Sequence, residues 1–330
     1  MGADANFVWP RVAVIGTGAV GCYFGGVLAR AGAKVKLIGR NAGVDEIARA
    51  GLTIQDSKVR DCAILMSQER IRVEATTDIE AARHADVVLL CVKTIDTGRA
   101  SIELARRLSA EAIVVSMQNG VDNVERIFET SKISALPAVI YLSVEMSGVT
   151  QVNIAGEAKV ISGVPHHLES TSRNRREDVS RLAQMFSAAG IACEVSDNIA
   201  GEMWLKLLWN CAGNAVTALG RATYGRVSAS PLVRETMLAA ALEVKRVAEA
   251  AGIVVPELVL TDDVIRKAHD AGNLTSSTAQ DVMRKRRTEI DSLNGYVVSR
   301  AKELGIDVPV NQALYALVKL LESSYSTSKQ

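Results

Sequence analysis

The chain has 330 residues, 48% of them hydrophobic and 23% charged, and a formal net charge of +1 at pH 7. That length suffices for two domains with separate cores, and the composition is that of an ordinary globular protein. A charge so near zero gives no global field toward polyanions, so neither nucleic acid nor a membrane surface is an expected partner. Residues 12–15 are a wholly apolar run that stops at Gly16, the pattern of a buried strand. Residues 22–31 read as a helix stopped by Gly32, and residues 34–38 as a second strand. Residues 85–92 and 113–116 are further apolar strands, each followed by a helical pattern. Apolar runs without alternation, separated by helices, predict a parallel sheet covered on both faces. From 139 to 164 several β-rich runs follow one another, broken by Ser147-Gly148 and Gly156, and are expected to extend that sheet with antiparallel strands.

Residues 166–177 are polar and basic and read as an exposed loop. Arg173, Arg175 and Arg176 lack the interleaved aromatic residues of a nucleic-acid surface. Beyond Asp197 the β-rich runs cease. Helices are predicted over 200–219, 231–251, 278–304 and 311–323, with the basic stretch 283–287 on a solvated helical face. The expected organisation is an α/β domain over 1–197 and an all-helical domain over 198–330.

Five cysteines (Cys22, Cys62, Cys91, Cys193 and Cys211) are odd in number and never spaced C-x-x-C. They suit a reducing compartment better than a disulfide framework or a zinc site, and no metal is expected. Residues 1–10 lack the basic and apolar regions of a secretory signal, and Asn6 stands where an N-myristoylation motif has Ser or Thr. The apolar runs are too short to span a bilayer. A cytoplasmic location is therefore expected.

Gly16-Thr17-Gly18-Ala19-Val20-Gly21 fits G-x-G-x-x-G directly after the first strand. The first glycine permits a tight turn, the second lets backbone approach a pyrophosphate, and the third lets helix pack on sheet. The anion would sit on the free N–H groups of the helix N-terminus. In this context the motif predicts a Rossmann-like dinucleotide site. Where an NAD-binding chain carries Asp or Glu after the second strand, this one reads Lys36-Leu37-Ile38-Gly39-Arg40. Arg40 can pair with a 2′-phosphate, which favours NADP(H); the alternative is a mere surface charge.

Residues 203–214 are apolar nearly all round the helix, yet Lys206, Asn210 and Asn214 recur at i, i+4 and i+8 and form one stripe. Such groups are costly in a buried helix unless paired or lining a wet cleft. A polar seam holding loop backbone is one reading; a reaction site is the other. A lysine suits carbonyl reduction, because its ammonium can stabilise charge growing on oxygen and then deliver the proton. Burial would bring its pKa toward neutrality. His84, His166, His167 and His269 have no spacing that suggests chemistry.

The glycine motif, Arg40, Cys91-Val92-Lys93, Gln118-Asn119-Gly120, the Lys206/Asn210/Asn214 stripe, Ser276-Ser277 and Arg287-Thr288-Glu289-Ile290-Asp291 occur in order. Asn294-Gly295 and Gly305-Ile306-Asp307-Val308-Pro309 continue the series. Together these residues resemble the ketopantoate reductase family from residue 12 to about 321. The resemblance implies a Rossmann-like domain followed by a helical domain like the C-terminal domain of 6-phosphogluconate dehydrogenase, with the active site in the cleft between them. It implies NADPH-dependent reduction of 2-dehydropantoate to pantoate, with Lys206 as general acid and Glu289 binding the substrate hydroxyl and placing the lysine. Asn210, Asn214 and Ser277 match substrate positions, Asn119 a position near substrate and nicotinamide, and Lys93 a cofactor position. Alternatives stay open: Lys93 as a helix-start charge, Ser277 as an N-cap, and Glu289 as partner of Lys285 or Arg286. Tyr224 stands where some members have asparagine, which puts the substrate in doubt. Rival functions are reduction of another small 2-keto acid, an N-(carboxyalkyl) amino-acid dehydrogenase, and a catalytically silent NADPH-binding redox sensor. A homodimer is left open.

Overall fold

In the computed structural model, which describes residues 7–40, 43–56, 70–169, 174–257 and 260–325, the apolar N-terminal runs pair as parallel strands. The chain opens with β1 (Arg11–Ile15), α1 (Ala19–Arg30), β2 (Lys34–Ile38), α2 (Gly43–Ala50), β3 (Thr53–Asp56) and β4 (Glu74–Thr76). β5 (Val87–Leu90), α3 (Thr97–Ala105), β6 (Ile113–Ser116), α4 (Asn123–Ser131) and β7 (Leu136–Tyr141) follow. Then come β8 (Val144–Met146), β9 (Gln151–Ile154), β10 (Lys159–Ser162), α5 (Arg175–Ala188) and β11 (Ala192–Val195). The main sheet has the order β11-β10-β7-β6-β5-β1-β2-β4, and all neighbours from β7 to β4 run parallel. Both faces are covered, as the unalternating runs require. Val12 and Val14 pack into one cluster with Phe24, Leu28 and Phe186. Ala13 and Ile15 join Leu104, Val124 and Ile127 on the other.

Two expectations for this region are corrected. Of the strands over 139–164 only β10 extends the main sheet antiparallel, against β7, with β11 pairing parallel to it; β8 and β9 leave it and form a three-stranded sheet, β3-β9-β8. Of β8 and β9 only Val152 is buried. This ribbon needs one apolar cover, and Ile54, Val144, Met146 and Ile154 pack on the core that contains α1. The second correction concerns residues 166–177, which are not one loop. Asn174 accepts from the Glu177 amide and caps α5, and Glu177 and Asp178 sit in its first turn, where helix N-termini favour acidic groups. Arg175 is paired with Asp178 at 3.2 Å, and Arg176 lies near Glu169 and Asp197. Arg173 lies outside the described residues.

The chain divides into two compact units, Met1–Gln118 with Asp122–Ile199, and Asn119–Val121 with Ala200–Gln330. The helices of the second are α6 (Ile199–Gly220), α7 (Tyr224–Ala229), α8 (Pro231–Ala250), α9 (Leu260–Ala271), α10 (Ser277–Met283), α11 (Asn294–Leu304) and α12 (Pro309–Ser323). Their core joins Trp204, Leu208 and Cys211 to Met237, Val244, Val264 and Val297, with Val121 packed among them. α7, started by Thr223, and α9 were not expected.

The single helix expected over 278–304 is broken instead. Lys285 takes φ 50°, and the amide and hydroxyl of Thr288 both donate to Glu322 Oε1, at 2.7 and 2.6 Å, pulling the chain out of helical register. Of the basic stretch 283–287, only Met283 is helical, as the last residue of α10, and 284–287 form a turn rather than a helical face. Asn294, fully buried, restarts the helix and donates to Cys211 O and Asn311 Oδ1. Buried Glu243 accepts from the amides of Val310 and Asn311 at the start of α12, a favourable place for a carboxylate.

Candidate active site

The glycine loop is built for close backbone contact. Gly16 has φ 112°, and a Cβ there would fall 2.9 Å from the backbone of Cys91 and Val92. A Cβ on Gly21 would fall 1.9 Å from Gly16 O, so no larger residue fits either position. Gly18 is the N-cap of α1, and no side chain caps that end. The amides of Ala19 and Val20 in its first turn are therefore free of a side-chain cap, as anion binding requires. Thr17 is half-buried beside them. Gly16 N donates to Ile38 O and Cys91 N to Ile15 O, each at 2.8 Å. These bonds hold the loop between the ends of β2 and β5. Arg40, beyond β2, donates to Asp96 Oδ2 at 2.5 Å. Lys93 is half-buried at the start of the short 3-10 turn Thr94–Asp96. Gln118 is structural: its Nε2 donates to Val92 O and Thr97 Oγ1.

In the second unit α6 carries the polar stripe. The Lys206 pKa is brought from 10.5 down to about 8, chiefly by desolvation and then by the nearby charge of Lys267, with Glu289 opposing the fall. Lys267, on α9, lies with its ammonium 4.5 Å from the Trp209 ring centroid, a cation–π contact, and desolvation brings its own pKa to about 8. Sequence spacing could not reveal Lys267, which comes from an unexpected helix. Asn119 Nδ2 donates to Glu289 Oε2 at 3.4 Å, so the turn after β6 brings its asparagine to the carboxylate whose charge acts on Lys206. Glu289 is thus tied to Asn119, and Arg287 makes a salt bridge to Asp291 at 3.2 Å.

The remaining stripe residues differ in their surroundings. Asn210 Nδ2 is buried with no acceptor among the described residues, an unstable arrangement unless a ligand supplies one. Asn214 is 3% exposed, and the Tyr224 hydroxyl donates to its Oδ1 at 2.8 Å. Thr217 Oγ1 donates to Ser276 Oγ, which donates in turn to Asn214 O. Ser276, not Ser277, caps α10 by accepting from Ala279 N; Ser277 is exposed in the first turn. The four described cysteines are free thiols, and burial raises the pKa of each, which argues against thiolate chemistry. Among the described residues no cluster of His, Cys, Asp and Glu could hold a metal ion, and no helix is long and apolar enough to cross a membrane.

A Rossmann-like sheet with an open glycine loop, followed by a helical unit that desolvates a half-buried lysine under the charge of a glutamate, defines an oxidoreductase class. Residues 12–166 match the family described as ketopantoate reductase PanE/ApbA, and residues 198–322 match its C-terminal counterpart. The 2-dehydropantoate 2-reductase of Halobacterium salinarum is 33% identical over 94% of this chain and 99% of its own. That of Vibrio cholerae is 30% identical over 96% and 99%. The crystal structure of a PanE/ApbA family ketopantoate reductase from Ralstonia eutropha is 37% identical, with a TM-score of 0.84, over 96% of this chain and 99% of that one. The chain belongs to the ketopantoate reductase family.

Proposed function

We propose that the protein reduces 2-dehydropantoate to pantoate with NADPH, a cytoplasmic step toward pantothenate and coenzyme A. The observation that carries this reading is Lys206, desolvated to a pKa of about 8 within reach of the charge of Glu289. The uncapped amides of Ala19 and Val20 in the Gly16–Gly21 loop would hold the pyrophosphate, Arg40 the 2′-phosphate, and Lys93 a further phosphate or ribose oxygen. When bound, the dihydronicotinamide supplies hydride to the keto carbon.

This chain's residues manage the oxygen and the proton. The Lys206 ammonium stabilises the charge that grows on the carbonyl oxygen and passes it a proton; a pKa near 8 keeps the acid charged at pH 7 yet ready to give the proton up. Asn210 Nδ2 offers a substrate oxygen the donor it lacks an acceptor for. Glu289, steadied by Asn119, accepts from the substrate hydroxyl. Asn214 and Ser277 complete the proposed substrate contacts, and a homodimer is compatible with them.

A second reading, another small 2-keto acid, is favoured by one observation: the Tyr224 hydroxyl donates to Asn214 Oδ1 and so competes with a substrate hydroxyl for that acceptor. NADPH oxidation against a panel of 2-keto acids separates the two. Ketopantoate should give the highest kcat/KM; a better unhydroxylated 2-keto acid selects the second reading, and no turnover of any panel member rejects both.

A further inference from the structure

The residues directly after β2 offer no carboxylate, but the fold supplies one from the turn that follows β5. Asp96 stands at the N-cap position of α3, where a carboxylate ordinarily accepts from the first helical amides. It makes no such bond. Its Oδ2 accepts instead from Arg40 Nη2 at 2.5 Å, with the Arg40 side chain 58% exposed and that of Asp96 31%. The pair joins the two segments that flank the glycine loop: Arg40 follows β2, whose Ile38 O accepts from Gly16 N, and Asp96 follows β5, whose outgoing backbone at Cys91 and Val92 lies against Gly16. Arg40 is therefore already engaged by an anion at the place where a dinucleotide ribose would lie.

We propose that Asp96 is a cofactor-selectivity residue: its carboxylate competes with a ribose 2′-phosphate for Arg40 and accepts from an unphosphorylated 2′-hydroxyl. The inference rests on the proposed dinucleotide site and goes beyond it. Arg40 by itself would favour the phosphorylated cofactor; Asp96 holds that preference down and gives the unphosphorylated cofactor an acceptor. The physical basis is charge. A 2′-phosphate that reaches the Arg40 fork brings close to two negative charges to within a few ångströms of the Asp96 carboxylate. With a dianion and a monoanion ~6 Å apart in a water-like dielectric, partly screened by salt, the repulsion is worth about three- to tenfold in affinity.

The test uses Asp96→Asn, which keeps an acceptor oxygen for Arg40 and removes only the charge. Adenosine 2′,5′-bisphosphate and 5′-AMP are titrated calorimetrically into the full-length wild type, Asp96→Asn and Arg40→Ala at one fixed low salt concentration. These fragments report the ribose site without any keto acid or turnover. Asp96→Asn should bind the bisphosphate about three- to tenfold more tightly than wild type and should bind 5′-AMP no better. Equal or weaker bisphosphate binding by Asp96→Asn overturns the inference, and so does an equal gain for both fragments, which would make the change non-selective. Arg40→Ala isolates the underlying site: if its bisphosphate affinity equals that of wild type, the 2′-phosphate assignment itself is lost. Loss in Arg40→Ala without a gain in Asp96→Asn removes the role of Asp96 alone.

Discussion

Burial lowers the Lys206 pKa from 10.5 to about 8, so the folded protein holds the ammonium less readily than the unfolded chain does. At 1.36 kcal/mol per pKa unit the difference is roughly 3 kcal/mol against the folded state at pH 7. Because the folded pKa is the depressed one, full stability is reached above about 10.5 and is lost as pH falls through about 8. Lys206→Met keeps the stem and removes the charge. It should therefore stabilise the protein at neutral pH by about 1–3 kcal/mol, the lower value allowing for Glu289 losing its cation. The gain should shrink between pH 8 and 10.5 and vanish above. The same change should lower kcat by about 10²–10⁴-fold while NADPH binding is nearly unchanged. Urea unfolding of both proteins followed by tryptophan fluorescence at pH 7 and pH 10.5, with kcat measured in parallel, makes the comparison. A variant no more stable than wild type at pH 7, or a gain independent of pH, would refute the desolvation argument; near-normal turnover would remove Lys206 as the acid.

The pH dependence of kcat should show an alkaline limb near the Lys206 pKa of about 8. Lys267→Met removes a like charge and should move that limb to higher pH, whereas Glu289→Gln removes the opposing charge and should move it lower; shifts of the same sign in both variants contradict the electrostatic assignment. Tyr224→Asn frees Asn214 Oδ1 and restores the residue of other members at that place, so kcat/KM should move toward ketopantoate relative to unhydroxylated 2-keto acids, and an unchanged ratio removes Tyr224 from the specificity argument. Glu243→Ala leaves the Val310 and Asn311 amides and the Asn311 side chain without their acceptor and should cost about 2–4 kcal/mol in urea unfolding with kcat unaffected; a loss below about 1 kcal/mol would mean that water replaces it.

The parallel sheet was legible because its strands are buried on both faces, and unbroken apolar runs such as residues 12–15 carry that information locally. The three-stranded ribbon was not, because β8 and β9 are β-rich like β10 and differ only in which strand accepts them. β9 pairs with β3, far back in the chain, and nothing in residues 144–154 names that partner. The interrupted segment from 277 to 304 failed for a related reason. Its helical pattern is continuous in sequence, and the break comes from Glu322, which takes two hydrogen bonds from Thr288 across 34 residues.

The site divides along the same line. A motif confined to one element can be read from spacing, and so the glycine loop and the Lys206/Asn210/Asn214 stripe were found. The charges around them come from other elements. Lys206 takes its second-largest pKa influence from Lys267 on α9, and Arg40 meets Asp96 across 56 positions. Along β2 no carboxylate stands beside Arg40; the one that meets it comes after β5. In a parallel sheet the carboxyl ends of the strands lie along one edge, so a residue that opposes or assists a loop cation can come from a strand distant in sequence, as Asp96 does after β5. The sign of a local charge can thus be assigned from the sequence, while its effective strength depends on contacts that only the fold supplies.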